Sequence, residues 1–168
     1  MEKTGLTEKV IEELKRRNLW EQEEDDDQEE NDDQDDEGES DDTSSNHNED
    51  FCEMVCQMLH SQTQVHIFHL GTKSYSEHKA LQGYYEGIDA LVDGVIESYQ
   101  GKYGLLTNYK SYKNQSYKNK NQVLKYFTGL LNTIEEKRDC CDDSFIQNQI
   151  DTVQELIYST MYKLKFLQ

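Results

Sequence analysis

Imidazole and carboxylate side chains are the residues of this chain most able to do chemistry, and they fall in one stretch. Three of the five histidines, His66, His69 and His78, lie in "HIFHLGTKSYSEH". Downstream, Glu86, Asp89, Asp93 and Glu97 follow with no Lys or Arg between Ala80 and Gln100. An ordinary solvated helix face mixes acids with bases at i,i+4 spacing. Carboxylates left without that compensation repel one another unless a cation sits among them. Imidazole plus carboxylate suits iron, manganese or zinc. No Ser/His/Asp grouping, phosphate loop or dinucleotide fingerprint is present.

These side chains need rigid elements, and the pattern is helical wherever it is periodic. Helix A is predicted over 51–70, capped by Asp50 with Glu53 three residues on. Helix B is predicted over 75–100, opened by Ser74 and Glu77 and stopped near Gly101 and Gly104. Helix C spans 119–139, with Val123, Phe127, Leu130 and Ile134 on one stripe. Helix D spans 145–167, capped by Ser144 with Gln147 and lined by Ile146, Ile150, Val153, Ile157, Met161 and Leu164. Two short turns and one longer B–C connection join them. The expected fold is an all-α, antiparallel four-helix bundle.

On helix B, Leu81, Tyr84, Tyr85, Ile88, Leu91, Val92, Val95 and Tyr99 form the expected core stripe. The acids and Gln82 form a second arc, and Gly83, Gly87 and Gly94 lie in a third. A glycine costs about 1 kcal/mol relative to alanine inside a helix. Three of them suggest a close backbone approach, and with it a helix enclosed by another helix or another subunit. On helix A, Phe51, Val55, Met58, Leu59, Gln62, Val65, His66 and His69 share one side and are expected to point inward. His60 falls on the polar side with Glu53, Gln57 and Gln64.

Helix B resembles that of the Dps family, ferritin-like proteins that oxidise and store iron in bacteria. In that family a histidine is followed by carboxylates at +4, +15 and +19. Here "HKALQGYYEGIDALVDGVIE" has His78, Asp93 at +15 and Glu97 at +19 without a gap. The helix A histidine of the family is matched by His69, or by His66 if no gap is allowed. The +4 position departs, because it is Gln82, for which Glu86 or Asp89 could substitute. The resemblance covers about residues 51–168. It implies a ferritin-like bundle and a homo-oligomer, a dimer at least. It implies iron, as one ion or a di-iron pair, at a site between subunits, with peroxide or dioxygen as oxidant; manganese or zinc are alternatives. "HLGTKSYSEHKALQGYYEGIDALVDGVIESYQGKYG" and "IYSTMYKLKFL" also resemble a phage-encoded ferritin-like group of undetermined function. That likeness implies the host cytoplasm or a virion as location. It also opens an alternative: a non-catalytic structural or interaction protein that docks a partner through its N-terminal helix.

Charge divides the chain of 168 residues further. Of 35 acids, 18 lie in residues 21–50 without a single Lys or Arg, and the remaining 17 match the 17 bases. Residues 21–50 are expected to be a disordered acidic linker. Residues 1–20 hold a short amphipathic helix with Val10, Ile11 and Leu14, suited to a protein partner. The acidity opposes DNA binding. No run of 18 apolar residues is present, so no membrane span is expected. Cys52, Cys56, Cys140 and Cys141 lack the CxxC spacing of a zinc or redox site and read as free thiols in a reducing cytoplasm. "NYKSYKNQSYKNKNQ", residues 108–122, interleaves lysines with tyrosines and reads first as a polar connection, second as a nucleic-acid surface.

Overall fold

The computed structural model describes residues 42–167, with side chains from Asn48 onward. The short helix expected over 1–20 and the linker up to residue 41 lie outside the described residues. Among the described residues the chain is all-helical, with four long helices: α1 (Asp42–Gly71), α2 (Tyr75–Tyr103), α3 (Lys120–Lys137) and α4 (Ser144–Phe166). A single 3-10 turn, Arg138–Cys140, follows α3. No helix among the described residues is long and apolar enough to cross a membrane.

Helix α1 starts eight residues before the Asp50 cap expected from the sequence. Tertiary anchors account for part of this. Tyr99 donates to Asn48 Oδ1 at 2.5 Å, and Lys137 Nζ bonds Asp50 at 2.6 Å and approaches Glu53 at 3.3 Å. Asp50 therefore serves as an ion-pair partner in the middle of a helix, and the linker expected over 21–50 is helical from residue 42.

The caps agree in part with expectation. The Ser74 hydroxyl accepts from the Glu77 amide, but the Glu77 carboxylate does not return to Ser74. It is buried and accepts from Thr72 Oγ1 at 2.6 Å and Tyr117 Oη at 2.8 Å. Gly104, at φ 92°, ends α2, while Gly101 stays inside the helix. Asn119 caps α3. Asp143, not Ser144, precedes α4, and its carboxylate is drawn to Lys102 and Tyr103 at 2.5 and 2.6 Å.

One core joins the four helices. Phe51, Met54, Met58 and Phe68 of α1 meet Tyr84 and Ile88 of α2, Phe127 and Ile134 of α3, and Ile146, Ile150 and Ile157 of α4. The stripes expected on helices C and D are buried throughout. Tyr84 keeps its hydroxyl satisfied inside this core. Ser61 Oγ donates to Met58 O, so its lone pair is open to the Tyr84 hydroxyl 2.8 Å away. Burial holds the Tyr84 phenol well above its ordinary pKa.

Side-chain pairs give the helix directions. His69 meets His78 across the α1–α2 turn, so α2 runs back along α1. Phe68 meets Tyr126 and Gln57 meets Thr133, so α3 is also antiparallel to α1. Gly94 faces Gln149 and Gly87 faces Leu156, so α4 is antiparallel to α2. Helices α2 and α3 thus point the same way, and residues 104–119 must carry the chain from one end of the molecule to the other. They do so along α1: Lys110 N meets Cys56 Sγ, Gln115 is held by Gln64, and Tyr117 reaches Gly71.

That route corrects the reading of helix A. Its expected polar side lies under the connection. Gln64 is fully buried, with its amide donating to Gln115 O at 2.8 Å and accepting from Gln115 N at 2.7 Å. His60 is half-buried, and its Nε2 is enclosed without a hydrogen-bond partner. In turn Leu59 and His66, expected inward, are exposed on a stripe shared with Thr63 and Leu70.

Candidate metal centre

The α1–α2 turn brings three histidines together. His69, in the last turn of α1, is buried, and its ring stacks on that of His78 with centroids 3.6 Å apart. The contact is reciprocal. His69 Nδ1 lies 2.8 Å from His78 O, and His78 Nδ1 lies 3.2 Å from His69 O. A carbonyl oxygen can only accept, so each Nδ1 carries the proton. His69 O belongs to the final turn of α1, where carbonyls have no partner within the helix. The histidine pair therefore satisfies an orphan acceptor and joins the two helices. In each neutral ring the free lone pair is then at Nε2. Backbone carbonyls fixing Nδ1–H in this way are the usual support for histidines that bind metal through Nε2.

His66 is close but differently placed. It is exposed, its ring is 5.8 Å from His69, and it stacks on Tyr85 at 4.2 Å. Tyr85 also meets His69 edge-on at 5.1 Å. Periodicity placed Tyr85 in the core, whereas it is the half-buried floor between two histidines.

The carboxylates lie elsewhere. Glu86, Asp89, Asp93 and Glu97 are all exposed on the outer face of α2. At 1.5 Å per residue, Asp93 is about 22 Å and Glu97 about 28 Å along the axis from His78. Among the described residues no three His, Cys, Asp or Glu side chains converge on one point. Gln82 is also engaged: its Oε1 accepts from Lys79 at 2.7 Å and its Nε2 donates to Glu86 at 2.7 Å.

The enclosure inferred from the glycines is not seen within one chain. A Cβ on Gly83 would meet nothing within 4 Å. Gly87 and Gly94 have only the side chains of Leu156 and Gln149 near, at ordinary contact distances of 3.6 and 3.9 Å. The glycine that does need its missing side chain is Gly71, where a Cβ would come within 2.4 Å of Tyr117 Cβ. Its position at a helix end, beside a turn, was the available sequence signal.

The thiols take no part in this centre. Cys52 and Cys56 are unbonded, with sulfurs 4.0 Å apart, and Cys140 and Cys141 are also free. Burial, and then the neighbouring Cys56, push the Cys52 thiol up to about 11.

A family model described as a family of unknown function (DUF5856) matches residues 69–164, more than half of the chain. The match opens on His69 and takes in His78, Asp93, Glu97 and all of α2, α3 and most of α4. The chain belongs to this family. No curated protein and no solved structure matches it.

Proposed function

From membership of that family as the starting point, we propose that the chain is a ferritin-like four-helix bundle of the Dps type. It binds iron at a site completed by a second copy of itself and oxidises Fe(II) there. The helix directions support the fold: two antiparallel pairs joined by one long crossover are the ferritin-like connection of a bundle. The observation that carries the metal reading is the reciprocal His69–His78 pair, with both Nδ1 atoms committed to carbonyls and both Nε2 lone pairs free.

Two imidazoles are an incomplete site for iron, which also takes carboxylate oxygens. Asp93 and Glu97 supply these only from another copy, because they lie too far along α2 to reach His78 in the same chain. An antiparallel pairing of α2 with its two-fold mate sets His78 against Asp93 and Glu97 of the other copy, and forms two equal sites. The midpoint of such a pairing falls near Gly87, with Gly83 open beside it. Exposed Leu59 and Leu70 on the adjoining stripe of α1 are the apolar surface this contact would cover.

Iron is the substrate in this reading. The Nε2 atoms bind it as Fe(II), and the carboxylates favour the more highly charged product. Two Fe(II) supply the two electrons that reduce peroxide to water, with two protons drawn from solvent; dioxygen is the other acceptor. His66, Glu86 and Asp89 are accessory donors at the rim. Gln82 stands outside the donor set in this reading, because its oxygen accepts from Lys79 in the single chain.

The test separates ligand from stitch. An asparagine amide can replace the Nδ1–H donor of histidine but has no Nε2. His78→Asn should keep the melting curve near that of the parent, while Fe(II) bound after anaerobic loading falls by about 10- to 100-fold, the range seen when metal-site support is lost. Equal iron uptake by parent and His78→Asn, or no uptake by either, would leave the ferritin-like fold as a non-catalytic structural or interaction protein.

A further inference from the structure

The other side of α1 carries a second candidate site, independent of the histidine pair. Between α1, α3 and the 104–119 connection lies a cleft of about 630 Å³, which adjoins a smaller chamber of about 200 Å³. The two share Gln57, Gln115 and Tyr126 as common wall. The larger volume is of the size that holds a drug- or nucleotide-sized molecule, roughly 300–1,000 Å³.

Its lining is one-sided in charge. Lys118 and Lys125 line the larger chamber and Lys113 the smaller, and no carboxylate lines either. Among the described residues none of these three lysines forms an ion pair, whereas Lys102, Lys110 and Lys137 all do. The rest of the wall is uncharged: the amides of Gln57, Gln115 and Gln122 and the hydroxyl of Thr133 beside the apolar surface of Tyr126, Gly129 and Leu130.

The wall is also held in place. Gln64 grips Gln115 through both backbone bonds, Gln122 Nε2 donates to Ser116 O at 3.1 Å, and Thr133 donates to Gln57 at 3.1 Å. At the back of the smaller chamber His60 sits edge-on to Tyr112, with its Nε2 enclosed and without a partner. An enclosed polar atom without a hydrogen bond is costly and rare in a finished structure. The His60 ring lines the smaller chamber, while Nε2 itself is closed off behind it.

We propose that this cleft binds a small phosphate-bearing organic molecule of about nucleotide size. The lysines would take the phosphate as point charges. The side-chain amide nitrogens of Gln57 and Gln115 would take the polar body, and the His60 ring would wall the end of the molecule that enters the smaller chamber. Burial lowers the His60 pKa, so at neutral pH its ring offers one donor and one acceptor and adds no charge.

Calorimetric titration of the full chain at low salt with adenosine monophosphate, inorganic phosphate and adenosine tests this. The monophosphate and phosphate should bind, and adenosine should bind at least about tenfold more weakly than the monophosphate, since charge-assisted contacts dominate. Lys118→Gln with Lys125→Gln should weaken the monophosphate at least about tenfold, and Lys163→Gln on α4 should change nothing. Lys118 and Lys125 are exposed and Lys163 is half-buried, so circular dichroism should report the same helix content in every variant. The proposal is overturned if neither phosphate probe binds at millimolar concentration, or if the double variant binds as well as the parent. It is equally overturned if a single-stranded oligonucleotide binds where the monophosphate does not, which would make the lysines a nucleic-acid surface.

Discussion

The two halves of helix α2 are finished to different degrees. At its N-terminal end almost every polar group has a partner within the chain. His78 bonds His69 O, Glu77 holds Thr72 and Tyr117, and Ser74 caps the first turn. Farther along, Asp89, Asp93 and Glu97 stand on an exposed face with no base among them and no ion pair among the described residues. Both halves lie on one helix, so propensity does not separate them. The first half is built against α1 and the crossover; the second presents its charge outward. In the single chain that charge is solvated; in the proposed reading a cation and a second copy cover it.

The largest effect that could break this comparison is in metal binding. If the two halves serve one site from different subunits, His78→Asn and Asp93→Asn/Glu97→Gln chains should each lose iron uptake. Mixing and re-equilibrating them should restore roughly a quarter of the sites, because a two-fold heterodimer carries one intact and one doubly defective site. Anaerobic Fe(II) loading of the mixture measures this. No recovery on mixing would place the two halves in separate roles.

A smaller effect comes from two glycines, one packed at the α1–α2 turn and one open on α2. Gly71→Ala drives a Cβ into Tyr117 and should destabilise the fold by about 1–3 kcal/mol in denaturant melts, as overpacking does. Gly83→Ala meets open space in the single chain and should stabilise it by about 0.5–1 kcal/mol at concentrations where it is monomeric. The reverse order would mean that the packed α1–α2 turn is looser than the outer face of α2.

The smallest effect is electrostatic and lies at the far end of α2. Hydrogen bonds from Lys102 and then Tyr103 hold the Asp143 carboxyl below the usual carboxylate range. A carboxyl whose folded pKa is depressed adds stability that is present above its unfolded pKa and is lost as pH falls through the folded one. The melting-temperature gap between parent and Asp143→Asn should therefore be constant near neutral pH and close below the ordinary carboxylate range. A gap that widens on acidification would contradict the assignment.

Much of the fold was legible, and the reason is local. Val123, Phe127, Leu130 and Ile134, like Ile146 through Leu164, repeat at the helical period and are buried as that period requires. Helix A misled at its edges. The helical period sets His66 and Leu59 on the side of Phe51, Val55 and Met58, and Gln64 and His60 on the side of Glu53 and Gln57. A helix wheel contains no information about what runs along the helix from 50 residues away. The 104–119 connection lies on the polar side of α1 and pairs with Gln64, which converts a wet face into a covered one.

The same distinction applies to the candidate site. Residue types and spacing alone determined that the imidazoles lie at a turn and that α2 carries acids without bases; the carboxylate expected at Gln82 was implied by the resemblance to the Dps family. The first two are properties of composition and of a 3.6-residue repeat. Only the tertiary structure decided that His69 and His78 exchange Nδ1 bonds with each other's carbonyls, that Gln82 is taken by Lys79, and that Asp93 and Glu97 face away from their own chain. Those outcomes depend on how two helices meet and on where a long crossover runs, and such contacts are set by packing between distant segments.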